Sequence, residues 1–474
     1  MFKFRRSIYL AVLLSVVSMV QAWDPPDTIW NSTYDNGKWD DVSSIIQTLD
    51  GGYLLGGSSI HSEPEYWTEY WLIKTDFQGN IIWENTCMDS TIVSSDCYTV
   101  LQTDDGSFLA SGDVDVVGGS GTDIRVVKLD SSGQILLDER IGGPQDDICY
   151  DMVPTSDGGY IFGGASGNIL DDTDFLILKT DSLFNVEWSE TFGGPGQDIA
   201  LSIIQTSDGG YLAGGRYDTF GYTADYYLVK TDADGNLEWT KRWGITNWDC
   251  IQDILQNPDG GYLVLGHLPY DDEGRLIKLD ENGDIQWETE YDRKPASFLK
   301  TIDGGYVITG TYSSDLWLMM TDSVGNKIWE TFVDGGSLNE VGLGLCETTE
   351  GGYIVAGAKN PAAGLLDYWL VCFDTCSGLN EGSSSTGGIQ LSSPTPNPSK
   401  GPFSFTCCLT ENSDILISVF DVAGHLIHRE TGLDQQPGMH EYSWTPSSSL
   451  PNGSYMLVLE TPGQRATERF VLIR

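Results

Sequence analysis

Short apolar runs alternate with polar, glycine-rich turns along most of this chain, and the alternation recurs as a unit. The unit is clearest over Ala200–Thr240. An apolar run leads there into Ser-Asp-Gly-Gly, a second run starts at Tyr211, and an acid-headed third run gives way to Asp-Ala-Asp-Gly. Short runs rich in β-branched and aromatic residues, bounded by turn residues, read as strands. Four are predicted in this unit, at Ala200–Thr206, Tyr211–Tyr217, Tyr226–Thr231 and Asn236–Arg242.

Two anchors mark every copy. The first is an acid, two small residues and an aromatic. Asp50, Asp105, Asp157, Asp208, Asp259, Asp303 and Glu350 head it. The six intervals between positions 50 and 350 give a mean period of about 50 residues, in the range of propellers and solenoids. Glycine there supplies the positive φ of a tight hairpin. The second anchor is an acid at Glu69, Asp123, Asp174, Asp225, Glu273, Asp315 and Asp367. A lysine follows at Lys74, Lys128, Lys179, Lys230 and Lys278, with Met320 and Cys372 in the last two units. A closing Asp then opens an Asp-x-x-Gly turn, with glycine at Gly79, Gly133, Gly235, Gly283 and Gly325. Phe184-Asn185 departs from that pattern, and Asn185 is expected to take the left-handed position. A tryptophan comes next, at Trp83, Trp188, Trp239, Trp287 and Trp329, with Leu137 in the second unit.

Four strands in about 50 residues make a propeller blade, which must stack on neighbours to bury both faces. The recurring Trp and the anchor aromatic are the expected filling between blades. The seventh unit lacks a fourth strand after Asp374, whereas Thr28-Ile29-Trp30-Asn31 precedes the first unit and matches the missing strand. Completing the last blade with that segment removes both open edges. The predicted fold is all-β: a seven-bladed β-propeller over residues 23–378, then a small β-sandwich.

The ends of the chain carry the address. Lys3, Arg5 and Arg6 precede an apolar stretch at Ile8–Val20, and Val20-Gln21-Ala22 fits a cleavage site. Residues 1–22 therefore read as a secretory signal peptide. No other run reaches membrane length. Twenty-five basic against 69 acidic residues give a net charge of −44, which argues against nucleic acid and anionic membranes as partners. Nine cysteines in an exported chain permit disulfides. Cys87 with Cys97, and Cys372 with Cys376, are the possible staples, set against small buried core thiols. Residues 379–390 are a Ser/Gly linker, and residues 391–474 alternate as strands of a separate immunoglobulin-like sandwich.

That last domain resembles the C-terminal sorting domain of the type IX secretion system, and is similar to the Ig-like module of flagellar hook-capping proteins. The likeness rests on Pro396, Asn397 and Pro398, on Ile417–Gly424 with Asp421 and Gly424, on Gly438 with Trp444, and on Gly453 and Tyr455. It implies delivery across the outer membrane by the secretion machinery, then release or attachment at the surface. Asp232–Trp239 looks like the blade motif of pyrroloquinoline quinone propellers, but the only adjacent cysteines, Cys407 and Cys408, lie in the tail.

No catalytic constellation emerges, and the chain is expected not to be an enzyme. The seven acids of the second anchor are equivalent, as expected of strand-entry acids that bond backbone N–H groups; their alternative is a ring holding a cation such as calcium. A further acid series, Asp40, Asp147, Asp198, Asp249 and Glu340, is broken by Ser95 and Arg293. Asp232-x-Asp234-x-Asn236 and Asp280-x-Asn282-x-Asp284 lack the rest of a calcium loop and read as hairpin turns. No cofactor is expected. The variable loops between second and third strands share one rim, where Glu63, Glu65, Tyr66 and Trp67 form the candidate surface for a carbohydrate or protein ligand. The alternative function is an extracellular polysaccharide hydrolase or lyase. It requires a non-repeated cluster of carboxylate, Tyr or Arg in the channel.

Overall fold

The computed structural model describes residues 26, 28–61, 67–88, 90–119, 121–168, 172–218, 223–244, 249–268, 273–301, 304–336, 340–348, 352–360, 366–373, 390–391, 399–409, 413–421, 426–435, 438–447, 450–461 and 464–473. The signal segment and nearly all of the linker lie outside them, as do Glu63, Glu65, Tyr66, Pro396, Asn397, Pro398 and Gly424.

Every element among the described residues is a strand. Strand β1 (Thr28–Tyr34) stands alone at the start, and the next four, β2 (Trp39–Gln47), β3 (Tyr53–His61), β4 (Trp67–Thr75) and β5 (Ile81–Asn85), form the first sheet. Five further sheets repeat this four-stranded antiparallel meander in chain order. The last, at Glu340–Phe373, has three strands of its own, and β1 pairs antiparallel with Asp367–Phe373 as the fourth. Repeated four-stranded antiparallel sheets of this kind are consistent with a propeller.

Packing closes the array. One apolar core lies between each pair of consecutive sheets, and another joins the last sheet to the first through Val42, Ile45, Trp71, Tyr368 and Leu370. The first strands also touch one another in order, and the last touches β2. They therefore line the axis, and the fourth strands lie outermost.

The two anchors are halves of one lock. Lys74, Lys179, Lys230 and Lys278 are buried, and each Nζ reaches the acid that heads the hairpin of its own sheet. Lys230 Nζ lies 3.1 Å from Asp208 Oδ2 and donates to Thr231 O at 3.0 Å. The acid also accepts from the hairpin itself, as Asp208 Oδ1 does from Thr206 Oγ1 and Gly210 N. Both glycines are required for different reasons. Gly209 has φ +88°, whereas a Cβ on Gly210 would sit 2.3 Å from Thr231 O and 2.6 Å from Lys230 Nζ. Ser107 occupies the second glycine position in the second sheet, and there the lysine side chain, Lys128, is 28% exposed instead of 2%.

The tryptophans bridge sheets as expected. Trp83, Trp188, Trp239 and Trp287 each lie over the Asp-x-x-Gly glycine of the following sheet, where a Cβ would meet the indole. In β1, Trp30 covers Gly79 in the same way, and Tyr34 Oη donates to Gly79 O at 2.7 Å. Trp287 and Tyr291 make the equivalent pair on Gly325, with Tyr291 Oη 2.6 Å from its carbonyl. Thus β1 carries the bridging residues of a regular fourth strand.

Two expectations need correction. Phe184, not Asn185, takes the left-handed position, with φ +63°. Asn185 N instead donates to Asp181 Oδ1 at 3.0 Å. The reason is volume: Leu137 replaces the bridging Trp there, and the buried Phe184 ring fills the vacated space, stacked on Tyr160 at 4.9 Å. The Cys87–Cys97 staple is not formed. Both thiols are free and buried in the core between the first two sheets. Cys372 is buried, and Cys376 lies outside the described residues.

The tail forms two sheets, a three-stranded one holding Phe403–Leu409 and a four-stranded one holding Ser413–Asp421. One core lies between them, built from Phe403, Phe405 and Cys407 on one side and Ile417, Leu457 and Phe470 on the other.

Candidate functional site

The first strands place their most varied residues around the axis. Each carries a β-bulge at the same position, between Val42 and Ser44 in the first sheet and at the six equivalents. A bulge leaves one residue unpaired and re-aims it. The re-aimed residues are Ser43, Tyr98, Tyr150, Leu201, Gln252, Ala296 and Leu343, all partly exposed. Tyr98 and Tyr150 meet with ring centroids 5.0 Å apart.

Two positions before the bulged residue, the paired residues of first and second strands are unlike from sheet to sheet. They are Asp41 with Ser58, Asp96 with Asp113, Ile148 with Ala165, Ile199 with Arg216, Cys250 with His267, Lys294 with Thr311, and Val341 with Ala358. The acids fall on the first two sheets, and the basic groups on the fourth to sixth. Asp113 Oδ1 accepts from Asp96 N at 3.0 Å, and Asp96 Oδ2 accepts from Thr68 Oγ1 at 3.0 Å. Burial, then the charge of Asp96, pushes the Asp113 carboxyl up to about 8. Asp41 is open to solvent, yet desolvation by the surrounding sheets and the charge of Asp96 raise it to about 6. Burial and Asp113 push the Tyr150 phenol up to about 12, opposed by Arg216. Across the ring, burial and Lys294 push His267 down to about 4. The arrangement offers an aromatic pair, a carboxyl that stays protonated near neutrality, and separated acidic and basic arcs.

At the same end of the strands, the two acid series meet across the junctions between sheets. Asp367 neighbours Asp40, Asp174 neighbours Asp198, and Asp315 neighbours Glu340. Burial is the main reason that Asp40 rises to about 7 and Asp198 to about 6. Where the acid of the second series is replaced, the residues there have other partners. Glu69, opposite Ser95, holds Lys38 Nζ at 2.6 Å and His61 Nε2 at 2.9 Å. Arg293 lies 3.7 Å over the Tyr312 ring and 3.3 Å from Glu330. The spacing of the two series was legible; their meeting was not, because each pair joins residues of different sheets. Asp232 and Asp280 each cap their own turn, accepting from N–H groups two and four residues on.

Of the predicted rim, Trp67 alone is described. It pairs with His61 at the mouth of the first sheet's second hairpin and stacks on its ring at 3.4 Å. Its neighbour Thr68 makes the bond to Asp96, so Trp67 stands beside the axial layer. The axial residues themselves were missed. A signal existed in their variation: equivalent positions that fail to repeat within an otherwise regular array.

In the tail, Tyr455 is buried and its Oη donates to Pro451 O at 2.9 Å, while Gly453 has φ +150°. Asp421 ends a strand, paired with Tyr455. Residues 395–473 match a family model described as a secretion system C-terminal sorting domain. The tail is a type IX sorting domain. Export by type IX secretion carries the chain to the cell surface or extracellular space, and the sorting domain is its contact with that machinery. No helix among the described residues is long and apolar enough to cross a membrane. Within the sorting domain, Ser399 N donates to Val471 O at 2.8 Å, and Ile473 N to Ser399 O at 2.9 Å, tying its entry to its final strand.

Among curated proteins, the regulatory protein FlaEY of Caulobacter vibrioides is 22% identical over 273 residues, covering 52% of this chain and 28% of that protein. The chain therefore spans under a third of that relative's length. Among solved structures, a fungal alcohol oxidase of the AA5 family in complex with copper aligns at TM-score 0.47 and 12% identity, covering 95% of this chain and 100% of that one. The AfRom2 CNH domain aligns at TM-score 0.42 and 11% identity, covering 73% of this chain and 99% of that one.

Proposed function

We propose that residues 23–378 form a seven-bladed β-propeller closed by β1, joined by a linker at 379–390 to an Ig-like sandwich at 391–474. The propeller acts as a non-catalytic binding module displayed or released at the cell surface, with a carbohydrate or protein as ligand. The observation that carries this reading is the unrepeated axial layer, Tyr98, Tyr150, Asp41, Asp96, Asp113 and Arg216, within sheets that otherwise repeat. A rigid repeating frame needs no such variation for its own stability, whereas a ligand site does. The Tyr98–Tyr150 pair and Trp67 offer aromatic faces for sugar rings, and the acidic and basic arcs offer directional hydrogen bonds.

The test is a glycan and cell-wall array on the mature secreted protein, scoring binding and product release in the same wells. Binding without product release is expected, and it should fall at least tenfold in Tyr150→Ala and Tyr98→Ala. Product release would overturn the non-catalytic reading. The same unrepeated cluster of carboxylates, Tyr and Arg meets the requirement of the second reading, a polysaccharide hydrolase or lyase, and one pair within it favours that reading. Asp113, raised to about 8, lies beside Asp96, and a protonated carboxyl next to a second carboxyl is an acid–base combination. Turnover abolished by Asp113→Asn with binding retained would assign it.

A further inference from the structure

The junction where the last sheet meets the first differs from the one between the third and fourth sheets. At the third junction, both oxygens of the buried Asp198 are satisfied by backbone: Gly194 N donates to Oδ2 and Asp218 N to Oδ1, each at 2.7 Å. The loop there is glycine-rich, Gly193-Gly194-Pro195-Gly196; its Gly194 N turns inward to Asp198, and its Gly196 N donates to Asp172 Oδ1.

At the closure, the corresponding loop is Asp35-Asn36-Gly37-Lys38, between β1 and β2. Asp40 is fully buried, and its nearest loop donor, Asn36 N, stands 3.5 Å from Oδ2. Asp40 Oδ1 is buried with no hydrogen bond of normal geometry among the described residues, although the Ser59 hydroxyl also faces this carboxyl. Asn36 Oδ1 is likewise buried without a hydrogen bond among them, on an amide whose Nδ2 donates to Ser59 Oγ at 2.8 Å. Carboxylate oxygens of Asp35, Asp40 and Asp367 lie within 4.8 Å of one another. Lys38 is engaged by Glu69, and Lys359, whose Nζ lies 5.3 Å over the Trp369 ring, acts on Asp367 through its charge. Three carboxylates therefore converge, and one of them carries a buried oxygen that no hydrogen bond reaches.

We propose that Asp35, Asp40 and Asp367, with the Asn36 side-chain oxygen, bind a calcium ion that fastens β1 and the last sheet to the first. The donors are all hard oxygens, as calcium prefers. Oxygens about 2.4 Å from one ion lie up to about 4.8 Å apart, which the three carboxylates satisfy. Gly37, at φ +79°, turns the loop so that Asp35 and Asp40 reach the same point. The ion would supply the charge that backbone N–H groups supply at Asp198. This site does not depend on the ligand proposed for the channel.

The test is calcium titration of chelator-treated, full mature protein, by calorimetry and by thermal melting. One site saturating between about 0.1 and 1 mM, as in extracellular modules, is expected, together with a melting temperature raised by several degrees. Asp35→Asn and Asp367→Asn should abolish both responses while the variants still melt cooperatively. Asp334→Asn, at the neighbouring junction, should retain them. No heat and no melting shift in the wild type at about 10 mM calcium would overturn the proposal. So would a calcium response that survives in Asp35→Asn and Asp367→Asn, or that is lost in Asp334→Asn.

Discussion

Phe184 shows how a single residue departs from the repeat without breaking it. A bulky side chain at φ +63° is strained, and it is tolerated because its ring occupies the volume that a bridging Trp fills elsewhere. Phe184→Gly should relieve the backbone but empty a buried space, for a net loss of about 2–4 kcal/mol in urea unfolding. Leu137→Trp alone should overpack the same space and cost about 1–3 kcal/mol. Together they restore the arrangement seen at Trp188 and Gly235, so the double variant should lie within about 1 kcal/mol of the wild type. Losses that simply add would refute the volume exchange. The substitution of Phe at the glycine position was visible in the sequence. Its partner was not, because Leu137 and Phe184 belong to different sheets.

The hairpin lock belongs to the strand pair. Lysine on the third strand, the acid heading the first hairpin and the close-packed second glycine act together, and Met320 shows that a sheet can form without the cation. Lys230→Met should therefore cost no more than about 1 kcal/mol, since the partner Asp208 carboxylate is more than half exposed and regains water. Gly210→Ser, which reproduces the second sheet, should cost about 1–3 kcal/mol and drive Lys230 toward the exposure of Lys128. Acetylation of intact protein read by peptide mass spectrometry checks this: Lys230 should be protected in the wild type and reactive in the variant. The same scale governs closure. Deleting residues 23–34 would bare the wholly buried strand Asp367–Phe373. The product should associate through that edge, read by light scattering.

Across the whole molecule, two populations of acids set opposite pH dependences. Asp40, Asp41, Asp113 and Asp253 have folded values raised to between about 6 and 8, chiefly by desolvation, from an unfolded value near 3.8. Between those limits the folded state binds more protons, so stability falls as pH rises from about 4 to 8. The hairpin acids run the other way. Asp157 is held to about 2 by the Thr155 hydroxyl, the Gly159 N–H and Lys179, and its contribution is lost only below about 4. His267, lowered to about 4 by burial, opposes the first group between about 4 and 6.5. With calcium chelated, the melting temperature should peak near pH 5 and decline toward pH 8. Calcium should flatten that decline, because it replaces the proton at Asp40. A melting temperature rising steadily from pH 5 to 8 would contradict the raised acids.

Strand positions, hairpins, the missing fourth strand and its substitute near Trp30 were all present in the sequence, because they depend on local periodicity, turn chemistry and the repetition of both. The export route was equally legible, since a sorting tail is read as a segment. The axial layer, the pairing of the two acid series and the unsatisfied oxygens of Asn36 and Asp40 were not. These join residues from different sheets, and Asp40 with Asp367 join opposite ends of the chain. Only the stacking of sheets around a common axis brings such groups within reach, and only there do burial and neighbouring charge determine their chemistry.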